Sequence, residues 1–201
     1  MPVVTGLRET RGGRVAVELD GARWRTMPAE VVARTRLGVG QDLDRPRLRE
    51  LARELRRARA IDVGLRALSR RDLSRAALER RLERRRVRMP DREEAVGAFE
   101  RAGLVDDERY AARRAEWLAE RGHGDAAIRW RLERDGVGAA EAAAAVDRLE
   151  READRAARIV AVRGPGTTTA RELARRGFGE DAVEAALGST SVADETWGAV
   201  D

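Results

Sequence analysis

The sequence predicts a mainly α-helical protein, with tandem three-helix repeats in an elongated array, preceded by a small N-terminal β-hairpin or sheet. Three observations predict it. From Pro46 onward, apolar residues recur with the 3.6-residue period of helices. A short pattern, leucine followed five positions later by an apolar residue, returns at Leu82–Val87, Leu132–Val137 and Leu173–Phe178. Ahead of these, RVAVEL at 14–19 alternates with the period of two that marks a half-buried strand. Composition agrees. The chain is 42% hydrophobic but only 3% aromatic, and alanine is the largest apolar contributor. Thin layers of Leu, Val and Ala are most easily closed by helices, and Ala is the best helix former.

The first 45 residues read as a separate β-containing region. Asp20 and Gly21 after RVAVEL are a strong hairpin signal, with ARWRT as the return strand. Gly12 and Gly13 mark an earlier turn, so VVTGLRE is expected to pair as well. Trp24 is expected to cover one face of this sheet. Pro28 suits the first turn of a short helix, AEVVARTR, and LGVGQDL at 37–43 reads as a loop.

The helical part divides into three units, at 46–104, 105–150 and 151–188. In the first, RLRELARELRRARAI places Leu48, Leu51, Leu55 and Ala58 on one stripe, which continues through Leu65 and Leu68 and breaks near Ser69. A new helix is expected after Asp72 or Ser74. The closing apolar residues Val87, Val137 and Phe178 each follow a charged helix. Gly136 and Gly177 precede the last two and can take the left-handed conformation that ends a helix. Arg86 stands at the matching place in the first unit, so that helix end must differ or be strained. A further helix follows each closing residue, with Asp91, or Gly179 followed by acids, near its start, where the helix dipole favours negative charge. One helical pair cannot bury its apolar face alone, so neighbouring units must stack. Residues 189–201 read as a mobile polar tail holding Trp197.

The phrase GLVDDERYAARRAEW at 103–117 lies between the first and second units. Asp106 is placed to cap a helix, and Asp107 and Glu108 fall in its first turn. Tyr110, Ala111, Ala115, Trp117 and Leu118 form the expected inward stripe. Three consecutive carboxylates point about 100° apart on a helix and do not converge on one ion, so no metal site is expected. His123, the single histidine, reads as an exposed loop residue. Trp117 and Trp130 read as core residues on amphipathic helices.

Charge excludes several chemistries. All 41 basic residues are arginine. A phosphate-binding loop of the Walker type needs a lysine, so GPGTTT at 164–169 is not one. Schiff-base catalysis is excluded for the same reason, and the absence of cysteine excludes disulfides and thiolate metal sites. No nucleophile motif is present. No catalytic residue, cofactor or enzymatic activity is expected. The start, MPVVTGLRET, lacks the apolar run of a signal peptide, and no stretch is long and apolar enough to span a bilayer. A soluble, cytoplasmic protein is expected.

The net charge of +5 is unevenly spread: residues 47–88 hold 16 Arg against 6 acids, and the rest holds 25 against 30. Such a stripe can serve nucleic acid or an acidic protein surface. It can equally be a solvated helix face with Glu–Arg pairs, such as those of Glu79 and Glu83 beside Arg80 and Arg84. Arg80, Arg81, Arg84 and Arg85, in the most basic part, are the candidate partner- or DNA-binding residues. Short helices in this segment could also imitate helix-turn-helix units, which keeps a direct DNA-binding regulator as the alternative reading.

Several phrases together resemble the RecX family of regulators of the RecA recombinase: GLVDDERYA, the run from Gly124 to Val137 with Ile128, Leu132 and Gly136, and LSRRDLSRAALERRL at 68–82. The resemblance covers about residues 55 to 187. It departs in the third unit, where Pro165 and Thr167 to Thr169 replace the usual helical start. It implies a non-enzymatic, monomeric modulator, mainly an inhibitor, in DNA repair and recombination and the SOS response. The implied partners are RecA, free and as its filament on DNA. There the protein would restrain strand exchange, ATP hydrolysis and filament growth, with at most weak non-specific DNA contact. The family offers no contact motif to place on single residues.

Overall fold

Three strands open the chain: β1 (Val4–Thr10), β2 (Arg14–Leu19) and β3 (Ala22–Pro28). They form one antiparallel sheet in the order β1-β2-β3. Asp20 and Gly21 connect β2 to β3 with φ of 49° and 80°. Positive φ at both central residues is the turn whose twist matches that of a hairpin. The computed structural model describes residues 1–195, with side chains described through residue 188. Trp197 and the end of the expected tail lie outside the described residues.

The sheet and its neighbours belong to the first of two units, Met1–Arg71 with Leu78–Leu104. Val4, Val17, Met27 and Val31 are essentially inaccessible and pack with Leu37, Leu43 and Leu51. Val31 lies on the short helix α1 (Ala29–Arg34) and Leu51 on the long helix α2 (Arg45–Leu68). The loop between them pairs with the free edge of β1, where the Val4 N–H donates to the Gln41 carbonyl at 2.9 Å and the Leu43 N–H to that of Pro2 at 2.9 Å. Trp24 is 37% exposed and absent from this core. Asp44 caps α2 by accepting from the Arg47 N–H at 2.8 Å, with Pro46 in the first turn.

The buried face of α2 differs from the leucine stripe read in sequence. Leu51 is buried and Leu55 and Ala58 are half-buried, but Leu48 and Leu65 are 36% and 47% exposed. In the second half, Ala60, Gly64 and Ala67 are buried instead. Their i, i+4, i+7 spacing is also a helical stripe, built of small residues. The cause is Phe99 on α4 (Met89–Arg101): a Cβ at Gly64 would lie 2.3 Å from its ring. So close an approach admits only the smallest residue and turns Leu65, about 100° away, to solvent. Helix α3 (Arg75–Arg84) lies between α2 and α4 in sequence and buries Leu78 and Leu82.

The second unit comprises Asp72–Ala77 and Val105–Asp201. Its helices are α5 (Asp107–Glu120), α6 (Asp125–Asp135), α7 (Ala139–Asp147), α8 (Glu152–Arg163), α9 (Thr167–Arg175) and α10 (Glu180–Glu195). The first three enclose one core of Ala111, Ala115, Leu118, Ile128, Leu132, Val137, Ala142, Ala145 and Val146. The last three enclose another, built on Ala156, Val160, Leu173, Phe178 and Ala186. Among the described residues, six helices end alike. The N–H of Leu37, Val87, Leu104, His123, Val137 and Phe178 each donates to the carbonyl five residues back, at 2.9–3.2 Å. This six-to-one bond of the Schellman motif needs a left-handed residue just before the donor. Gly103, Gly122, Gly136 and Gly177 supply it, and Arg36 and Arg86 supply it at φ 48° and 56°. Of the two expectations for the helix end at Arg86, a different ending or strain, the second holds: the ending is the same and Arg86 takes the left-handed conformation.

The same junction is built twice. The Ser74 hydroxyl donates to the Asp135 carbonyl at 2.6 Å, and the Gly124 N–H donates to the Arg176 carbonyl at 2.9 Å. Ser74 and Gly124 each stand eight residues before the signature leucine of their own unit. Asp135 and Arg176 each stand three residues after the signature leucine of the following unit. The recurrence seen in sequence is therefore a recurrence of hydrogen bonds between successive repeats.

Candidate functional site

The three acids of the GLVDDERYA phrase have separate structural duties. Asp106 accepts from the Arg109 N–H at 2.9 Å and caps α5. Asp107 accepts from the Arg75 N–H at 2.7 Å, at the start of α3. Glu108 pairs with Arg148, just past α7, at 2.6 Å. The Tyr110 hydroxyl donates to Asp135 at 3.0 Å. Among the described residues, no group of three His, Cys, Asp or Glu is arranged to hold a metal ion.

Two aromatic expectations are corrected. Trp117 and Trp130 are 41% and 56% exposed, not core. Each lies about 200° around its helix from a buried position, Ala115 and Ile128 respectively, and so faces away from the core. Arginines cover them instead. The guanidiniums of Arg121 and Arg114 lie 3.6 Å and 4.6 Å from the Trp117 ring centroid, and that of Arg134 lies 4.6 Å from that of Trp130. His123 is half-buried rather than an exposed loop residue. Burial, and then the charges of Arg131, Arg176 and Arg114, hold its pKa below the ordinary value of 6.5.

Periodicity did not reveal the buried pair that organises the junction of α6 with α8. Arg155 is 5% exposed, forms an ion pair with Asp125, and donates to the His123 carbonyl at 3.0 Å. Glu152 accepts from the Asp125 N–H at 2.5 Å and from the Gly179 N–H at 3.2 Å, so one carboxylate serves the starts of two helices. These contacts join residues far apart in sequence, which leaves no local signal.

The four candidate arginines divide. Leu78 and Leu82 fix the inner face of α3. Arg80, Arg84 and Arg85 are exposed and Arg81 is half-buried. Arg81 and Arg85, one turn apart, line a concave cleft of about 340 Å³ together with Val63, Arg66, Ala67 and Arg70. Arg80 and Arg84 do not line it. Arg66 and Arg70 were not singled out in the sequence, although both belong to its most basic segment. Packing of the end of α2 beside α3 brings them to the same place. Arg66 forms an ion pair with Asp62 one turn earlier. The Arg85 carbonyl accepts from Arg59 at 3.2 Å, which holds the end of α3 to α2. Among the described residues, no acid pairs with the guanidinium of Arg70, Arg81 or Arg85. The cleft thus gathers four planar, permanently charged donor groups with one internal counter-ion.

The fold and this surface define a class: an α-helical repeat protein with a three-stranded N-terminal sheet and an arginine-rich face. No protein-family model matches the chain. A stretch of 136 residues, 63% of the chain, is 33% identical to the regulatory protein RecX of Stenotrophomonas maltophilia (strain K279a) and covers 83% of that relative. A crystal structure of a regulatory protein RecX superposes with a TM-score of 0.78 at 20% identity, covering 92% of this chain and 98% of that one. The crystal structure of RecX from Lactobacillus salivarius gives a TM-score of 0.62 at 14% identity, covering 68% and 97%. The chain belongs to the RecX family of regulatory proteins. Among the described residues, no helix is long and apolar enough to cross a membrane.

Proposed function

We propose that this protein is a non-enzymatic modulator of the RecA recombinase, mainly an inhibitor. It acts as a monomer in the cytoplasm, with RecA and the RecA filament on DNA as its partners. In this reading it restrains recombination, ATP hydrolysis and filament growth. The observation that carries the reading is membership of the RecX family through a relative matched over 83% of its length. The positive charge in and just after α3 supports it physically: Arg80, Arg81, Arg84 and Arg85 fall within six residues, and such a concentration of charge suits an acidic protein face.

The test is binding of the protein to RecA assembled on single-stranded DNA. Association at micromolar protein is expected; its absence would remove the reading. The second reading, a direct DNA-binding regulator using residues 47–88, is favoured by the unpaired guanidiniums of the cleft. A salt series of DNA binding without RecA separates it, because phosphate contacts weaken steeply with salt.

A further inference from the structure

We propose that the cleft lined by Arg66, Arg70, Arg81 and Arg85 is a binding site for the phosphodiester backbone of single-stranded DNA. The proposal deepens the second reading above by naming the site and the group it takes. It does not depend on the recombinase.

Three features of the cleft lead there. The first is charge without a partner. The chain has 36 acids, and ion pairs with them engage many of its arginines, yet among the described residues no acid pairs with Arg70, Arg81 or Arg85. Packed arginines repel one another, so three unpaired guanidiniums converging on one concavity create a strong field for an anion. The second is shape. The space of about 340 Å³ exceeds that needed for one carboxylate and accommodates a phosphate with its flanking sugar. Planar guanidinium forks at and just past the ends of α2 and α3 line the cleft, and a tetrahedral phosphate offers acceptor oxygens in several directions to such forks. The third is concavity. A phosphate must enter the cleft, which a flexible single strand allows. The duplex is stiff over about 150 base pairs and presents its phosphates on a convex surface. Val63 and Ala67 give the cleft an apolar part that suits the carbon face of a sugar.

Asp62 sets the resting state. Its carboxylate holds Arg66, so an incoming phosphate competes with it for one of the four arginines. This gives the proposal a direction that misfolding cannot imitate: removing the Asp62 charge strengthens binding.

The experiment measures fluorescence anisotropy of a labelled oligothymidylate of about 16 nucleotides, a length that covers one binding site. The full chain is used, without RecA. Arg81→Glu with Arg85→Glu is expected to weaken binding about tenfold or more. The milder Arg70→Gln should lower the slope of log affinity against log salt by about 0.7, the value for one phosphate contact on a single strand. Asp62→Asn should raise affinity severalfold. Arg171→Glu with Arg175→Glu, both exposed on α9, serves as the charge-matched control and should have much less effect. Unchanged binding in the double variant, with its melting temperature intact, would overturn the proposal. So would tighter binding to a duplex of equal length. RecA-filament binding by the same variants reports separately on the recombinase reading, so the two can fail independently.

Discussion

Asp107 Oδ1 accepts the backbone N–H of Arg75 at 2.7 Å, across 32 residues of chain. Arg75 is the first residue of α3, and Asp107 is the first residue of α5. The relationship returns one repeat later, where Glu152, first in α8, accepts from the N–H of Asp125, first in α6. An acid at the start of one repeat thus caps the middle helix of the repeat before it. Asp107→Ala should therefore lower stability by about 1 kcal/mol, as loss of a helix cap does. Asp106→Ala should cost a similar amount at α5. Glu108→Ala should cost less than about 0.5 kcal/mol, because its pair with Arg148 is exposed. Urea unfolding of the three variants gives the comparison, and equal effects at all three positions would contradict it.

The junction also fixes which glycines tolerate a methyl group. A Cβ at Gly124 would lie 2.2 Å from the Phe178 nitrogen, which is backbone and cannot step aside. Gly124→Ala should destabilise by at least about 2 kcal/mol, the cost of overpacking a tight contact. Gly97 lies inside α4, and its nearest neighbour is the Arg101 side-chain end at 3.2 Å, which can move. Gly97→Ala should stabilise by up to about 1 kcal/mol, because helix interiors favour alanine. Thermal unfolding of the two variants should shift in opposite directions.

Arg86, like Arg36 at the end of α1, holds the left-handed position that glycine fills at the other four helix ends of this type, with φ of 56°. A side chain in that conformation costs about 1 to 2 kcal/mol. Arg86→Gly should raise stability by about 1 kcal/mol while leaving the bond from Val87 to Leu82 in place. A lower melting temperature would show that the Arg86 side chain contributes more than its backbone strain costs.

These sites show what was legible in the sequence. Asp106 could be assigned as a cap because capping is local: the residue, its position after a glycine turn and the helix that follows are all within a few positions. The exception at Arg86, though not its form, was legible because Gly136 and Gly177 stand at the matching places of the other two units. The duty of Asp107 was not legible, since its partner lies 32 residues away. Nor was the buried stripe of α2, where Ala60, Gly64 and Ala67 replace the more conspicuous leucines because Phe99 needs a smooth surface. Trp117 and Trp130 were misplaced for a related reason: large apolar residues suggest burial, but the angle from Ala115 and Ile128 turns them outward. Composition located the basic segment, while the cleft depended on packing that brings Arg66 and Arg70 beside Arg81 and Arg85.

His123 should make the protein acid-sensitive. Its folded-state pKa is depressed, chiefly by burial and then by nearby arginines, so the unfolded chain binds a proton first as pH falls. The stability from keeping His123 neutral is fully present above its ordinary pKa of 6.5 and is lost as pH drops below it. His123→Gln should flatten the pH dependence of urea stability between about pH 7 and 5. An unchanged slope would place the acid sensitivity elsewhere.

If the protein modulates RecA, it changes the ATP turnover of RecA on single-stranded DNA, measured with increasing amounts of this protein. Slower turnover at micromolar protein is expected. A variant with Arg80, Arg81, Arg84 and Arg85 all changed to glutamate should lose much of that effect with little change in melting temperature. Turnover that stays the same with the wild-type protein, together with no association with the filament, would contradict the account.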